Sequence, residues 1–96
     1  LPALYRDTAM PLTRCELKNI HNLDELYAQL GTQLALPAHF GNNLDALWDI
    51  LTTDLPGPLE IIWRHPQTLG KQSQAVIELF QEAEQSRDDL SFLIVP

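Results

Sequence analysis

Cysteine is almost missing from this chain. Cys15 stands alone, so no internal disulfide can form and no paired-cysteine metal or redox motif exists. Glycine is sparse, at four of 96 residues, and no glycine-rich phosphate-binding loop can be assembled from it. His-Glu-x-x-His and Gly-x-Ser-x-Gly are absent too. No apolar run approaches the roughly 18 residues that a membrane helix requires. The opening Leu1-Pro2-Ala3-Leu4-Tyr5-Arg6-Asp7 has neither the basic flank and apolar stretch of a secretory signal nor an initiator Met, as if the natural start had been trimmed. These features suit a soluble protein of the reducing cytoplasm. Basic residues are the other shortage: six Lys and Arg face thirteen Asp and Glu, a formal net charge of −7. Such a field repels phosphate backbones, which argues against direct nucleic-acid binding, while it speeds encounter with a basic protein.

What is present is one domain's worth of alternating helical and strand patterns, with no repeat and no linker. Residues 1–11, closed by Pro11, read as an N-terminal extension, and 12–96 as a single domain. Leu12 to Leu17 alternates apolar and polar residues as a short strand does. Asn22 precedes a helical stripe of Leu23, Leu26, Tyr27 and Leu30, with Glu25 placed as in a capping box and Gly31 as a stop. Pro37 forces a bend before Phe40-Gly41. Asn43 is a good N-cap for a second helix built on Leu44, Leu47, Trp48 and Leu51, ended near Thr52-Thr53-Asp54 by Pro56-Gly57-Pro58. Leu59 to Arg64 is a strand whose apolar density suits burial on both faces. A third helix is predicted from about Lys71 to Gln85, and a last strand over Ser91 to Val95. Strands separated by helical crossovers pair in parallel, so the expected fold is α/β: a small three-stranded parallel sheet packed with helices.

Chemistry concentrates on the second helix. Asp45 and Asp49 lie four residues apart and project from one face, where like charges repel by a few tenths of a kcal/mol. A solvated surface is one explanation for such a pair. Asp45 is also favoured by the helix dipole near the N-terminus, which leaves Asp49 as the more informative residue. Asn43 has its capping duty, Trp48 reads more readily as core than as contact, and His39 and Gly41 occupy the loop leading in, Gly41 permitting an unusual backbone angle. A metal-dependent enzyme using Asp45, Asp49 and His39 is conceivable on residue type, but no motif supplies the remaining ligands or a nucleophile.

The run Leu34-Ala35-Leu36-Pro37-Ala38-His39-Phe40-Gly41-Asn42-Asn43-Leu44-Asp45-Ala46-Leu47-Trp48-Asp49 resembles the signature region of the barstar family, intracellular protein inhibitors of ribonucleases. The resemblance extends to Pro58 to Arg64 and to Val76 to Ala83, and covers most of Thr13 to Val95 in the same order. It implies a layered fold with a three-stranded parallel sheet, and a non-enzymatic protein without cofactor or metal whose acidic helix enters a ribonuclease active site. By resemblance Asp49 is the principal anchor, standing where a substrate phosphate would lie; Asp45 is a second acidic contact, with Gly41, Asn43 and Trp48 beside it. Glu82, on the last long helix, matches a peripheral acidic contact. His39 and Asn42 complete the stretch, at positions where the family pattern has a tyrosine and an acidic residue, and Asp54 replaces a tryptophan. The family's cysteines have no counterparts here, so no redox role is implied. The expected partner is a basic extracellular-type ribonuclease or a ribonuclease toxin, bound by a monomeric bacterial immunity protein of a toxin–antitoxin pair. The alternative, prompted by His39, Asn42 and Asp54, is an interaction module of the same fold serving another basic protein.

Overall fold

The computed structural model describes residues 12–34, 36–37 and 40–96. Strand β1 (Thr13–Leu17) leads to helix α1 (Leu23–Gln33), then to helix α2 (Leu44–Asp49), which continues into a π-helical turn (Ile50–Asp54). Strand β2 (Leu59–Arg64), a 3-10 segment (Pro66–Gln72), helix α3 (Ser73–Ser86) and strand β3 (Leu90–Val95) complete the chain. The strands form one parallel sheet in the order β1-β2-β3, with Cys15 opposite Ile61 and Ile61 opposite Phe92. This is the α/β architecture that the crossover pattern predicts.

Local chemistry accounts for the helix boundaries. At α1 the Asn22 side chain accepts a hydrogen bond from Glu25 N (2.9 Å), and the Glu25 carboxylate reaches back to accept from His21 N (2.7 Å), a variant of the capping box. The helix does not stop at Gly31 as expected; it runs on to Gln33 and is closed by an extended Leu34. An exposed glycine inside a helix costs only about 1 kcal/mol relative to alanine. The burial of Leu30 and Leu34 on either side, together with Gln33's bonds to β1, outweighs that. The third helix begins at Ser73, not at Lys71, because Gly70 takes a left-handed φ of 81° that breaks the helical path; Ser73 Oγ then donates to Gly70 O (2.7 Å).

The core lies between the sheet and the helices. Leu17, Ile61 and Trp63 from the sheet meet Leu26, Leu30, Leu47 and Phe80 from the helices, all fully buried. Phe80 packs edge-on to Trp63 (6.4 Å, 78°) and stacks on Phe92 (4.9 Å, 25°). The expectation that β2 is buried on both faces is corrected here: Leu59, Ile61 and Trp63 are buried, whereas the alternating Glu60, Ile62 and Arg64 are only half-buried. Their face of the sheet carries the ion pairs Arg14–Glu60 (2.5 Å) and Arg64–Glu16 (2.8 Å) and the half-exposed Leu93. Both crossovers lie on the same side, so the helices cover one face of the sheet and give two layers instead of three.

Both sheet edges are closed by side chains from the helices. Gln33 accepts from Glu16 N (2.8 Å) and donates to Glu16 O (2.8 Å); Gln29 does the same at Lys18 (3.1 and 2.6 Å). At the other edge Glu84 accepts from Phe92 N (3.0 Å). These contacts satisfy backbone groups that would otherwise offer a template to another strand.

Candidate functional site

Short helices are marginal alone, and α2 is only six residues long; its position is imposed by what holds its two ends. At the N-terminus Asn43 adopts an extended conformation, its Oδ1 accepts from Ala46 N (2.7 Å), and its Nδ2 donates to Gly41 O (3.2 Å). One side chain thus caps the helix and ties down the loop before it. The unusual backbone angle expected at Gly41 belongs instead to Asn42, whose φ is 50°. What Gly41 supplies is room: a Cβ built there would sit 3.0 Å from Asn43 Nδ2, so a side chain would press on the cap itself. His39 lies outside the described residues.

Inside α2, Leu47 is buried and anchors the helix to the core, leaving Asp45 and Asp49 exposed. Trp48 does both things that its spacing allows, packing against the core while lining a groove. The C-terminal end is held by hydroxyls and by one guanidinium. Thr52 Oγ1 donates to Trp48 O (2.7 Å), and Thr53 Oγ1 donates to the Asp49 carbonyl. Arg87, arriving from the far end of α3, donates to Leu51 O (2.7 Å) and Leu55 O (2.8 Å) and pairs with Asp89 (2.7 Å).

Two grooves flank Asp45. One, about 520 Å³, lies towards α1 and is lined by Asn42, Asn43 and Asp45 with Asp24 and Tyr27. The other, about 370 Å³, runs between α2 and α3 and brings Asp45, Trp48 and Glu82 together with Glu78 and Leu79. A smaller pocket of about 170 Å³ groups Gly41 and Asp49 with Phe40, Ile50 and Asp54. The described members of the sequence-derived set therefore lie around one helix, and Glu82 reaches them from the neighbouring helix, far along the chain. Asp24 and Glu78 join the surface without having been singled out in the sequence. Each reads alone as an ordinary helix-surface acid, and only the packing of α1 and α3 beside α2 brings them in.

The charge distribution is one-sided. Among the described residues the ion pairs are Arg14–Glu60 and Arg64–Glu16 on the sheet, His21–Glu25 at the start of α1, and Arg87–Asp89 before β3. Asp24, Asp45, Asp49, Asp54, Glu78 and Glu82 take part in none of them. No three His, Cys, Asp or Glu side chains among the described residues are grouped so as to hold a metal ion. Cys15 is fully buried, which pushes its thiol up to about 12; a thiol held in that form is a poor nucleophile. No helix among the described residues is long and apolar enough to cross a membrane.

Comparison with known proteins places the chain in a family. Residues 10–95 match the family model described as "Barstar (barnase inhibitor)". The chain is also 33% identical, over 82 residues, to a Bacillus subtilis (strain 168) protein named "Putative ribonuclease inhibitor YrdF", with 80% of this chain and 90% of that protein aligned. With the parallel three-stranded sheet, the capped acidic helix and a family match spanning nearly the whole chain, this protein belongs to the barstar family.

Proposed function

We propose that this protein is a non-enzymatic inhibitor of a basic, barnase-like ribonuclease, and that α2 enters the enzyme's active site as an anionic plug. The observation that carries the reading is the pair of exposed carboxylates Asp45 and Asp49, neither in an ion pair among the described residues, on a helix locked at both ends. A ribonuclease active site holds RNA phosphate with Arg, Lys and His donors, and a carboxylate satisfies the same donors through charge-assisted hydrogen bonds. Because Asn43, Leu47 and Arg87 fix the helix before binding, little ordering entropy opposes the complex. In this reading Asp49 is the anchor, and Asp45 contacts a second cation. Gly41, Asn42, Asn43 and Trp48 form the surrounding contact surface, together with the adjoining His39. Glu82 contributes from the neighbouring helix. Family membership and the name carried by the Bacillus subtilis relative support it. The biological setting that fits is a bacterial cytoplasm in which the inhibitor acts as an immunity protein, neutralising a ribonuclease made by the same cell or a delivered ribonuclease toxin.

The test is a fluorogenic RNA-cleavage assay in which the protein is titrated against barnase and against ribonuclease toxins. Stoichiometric inhibition is expected. Asp49→Ala, with an unchanged thermal melt, is expected to weaken it at least about 100-fold, the scale of truncating one partner of a buried charged contact. Normal inhibition by that variant would remove Asp49 from the role. No inhibition by the native protein, alongside stable binding of a basic non-nuclease, would favour the interaction-module alternative.

A further inference from the structure

We infer that the groove between α1 and α2 is a second contact surface for the protein partner, in which Tyr27 and Asp24 of α1 receive a lysine or arginine side chain. The inference rests on the inhibitor reading above for the partner's identity, and it carries the interface onto a helix that the reading leaves unused.

The starting observation is a hydroxyl without a partner. Tyr27 is only 6% exposed, and a tyrosine buried to that degree ordinarily gives its O–H a hydrogen-bond partner, because a polar group left unpaired in the interior is costly. Among the described residues the Tyr27 hydroxyl has none. Trp63 Nε1 is also unpartnered, but it is sealed inside the core, where nothing from outside reaches it. Tyr27 instead lines the groove of about 520 Å³ between α1 and α2, so a group entering that groove can satisfy it. The ring is held in place by Phe40, which packs edge-on to it (5.8 Å, 73°).

The surroundings of that hydroxyl decide what enters. Asp24 lies three residues before Tyr27 and so shares its helix face; burial, and then the charge of Asp24, raise the Tyr27 phenol above the ordinary tyrosine range. The hydroxyl therefore stays neutral and keeps oxygen lone pairs to offer. Leu23 and Leu44 supply apolar wall, and Asp45 faces Asp24 from α2. Neither Asp24 nor Asp45 forms an ion pair among the described residues. An anion is repelled by both carboxylates, and an apolar side chain would desolvate them without return. A lysine or arginine meets every wall: its methylene stem lies on Leu23, Leu44 and the Tyr27 ring, while its charged head donates to Asp24 and to the Tyr27 oxygen. The basic surface expected of a ribonuclease supplies such side chains.

The experiment measures binding of barnase and a panel of other basic bacterial ribonucleases to the full chain by stopped-flow and titration calorimetry. It uses the native protein, Tyr27→Phe, Asp24→Asn, their double variant and Asp49→Ala, each checked by thermal melting. Tyr27→Phe removes only a hydroxyl without a partner, so its melt should match the native one while its complex with the best-bound ribonuclease dissociates about fivefold faster. Asp24→Asn, at the exposed rim, should slow association and flatten its dependence on salt. The double variant should lose less than the product of the two single losses, because both groups act on one side chain. Native binding by both single variants, beside a large loss for Asp49→Ala, overturns the inference and leaves the inhibitor reading standing. A lowered melt for Tyr27→Phe with native dissociation shows that the hydroxyl serves the fold, which overturns it too. If the native protein binds no ribonuclease, or Asp49→Ala binds normally, the inhibitor reading fails and this inference falls with it.

Discussion

Asn43 carries more than a capping role, because its side chain has two partners on opposite sides: Ala46 N inside the helix and Gly41 O in the loop before it. Removing it should loosen both. Asn43→Ala is expected to lower stability by about 1 kcal/mol, the usual worth of an N-cap, and to weaken ribonuclease binding beyond what that stability loss explains. Asn43→Asp keeps the acceptor and should retain most of the stability while losing the tie to Gly41 O. Urea denaturation followed by fluorescence, beside a binding titration, separates the two effects. An Asn43→Ala variant with native stability and native affinity would show that α2 is held by its core contacts alone.

The π-turn closes the C-terminal end of the candidate site, and its lock is remote in sequence. Arg87 sits where the chain leaves α3, yet its guanidinium bonds the carbonyls of Leu51 and Leu55, 36 and 32 residues away, and pairs with Asp89. Gly57 makes room for that pair, since a Cβ there would fall 1.8 Å from Asp89 Oδ2. Buried carbonyls that lose a charged donor are costly, so Arg87→Ala is expected to destabilise the protein by about 2 kcal/mol. Hydrogen exchange should also rise first across Thr52 to Leu55, and binding should suffer through the loosened turn. If exchange rises uniformly instead, Arg87 supports the whole fold and not this turn.

Charge is arranged by face. The sheet's half-open side holds its acids in ion pairs, whereas the acids on the α2 side form none among the described residues, so the carboxylates that set acid stability are not the ones proposed to meet a partner. Glu16 is held below the usual carboxylate range by its hydrogen bond to Arg64 and then by that residue's charge; Asp89 is lowered the same way by Arg87, and Glu25 chiefly by the backbone N–H of His21. A carboxyl whose folded pKa lies below its unfolded value contributes stability that is complete above the unfolded value, near about 4, and is lost as pH falls through the folded one. The urea midpoint should therefore stay level from neutral pH to about 5 and decline below about 4. Glu16→Gln should make that acid decline shallower. A Glu16→Gln profile parallel to that of the native protein would exclude the Arg64 pair as a source of acid sensitivity.

Helix caps, strand runs and the parallel α/β order could be read directly from the residues, because Asn22, Asn43, Pro56-Gly57-Pro58 and the Leu59 to Arg64 run act within a few positions of themselves. The acidic pair on α2 was legible for the same reason, since i and i+4 share a helix face wherever the helix lies. Several features were not legible. The run through Gly31 depended on Gln33 finding the β1 edge, and the late start of α3 depended on the φ of Gly70. The one-sided burial of β2 depended on which face the crossovers cover. Asp24 and Glu78 join the surface around Asp45 through helix packing, a surface for which the sequence offered Glu82 only by family resemblance, and Asp54 shares a pocket with Asp49 at the widened turn after α2. Local chemistry acts over a turn or two of chain and is written in the order of residues; the grouping of acids from three helices, and the face they present to a partner, comes from contacts between segments far apart in that order.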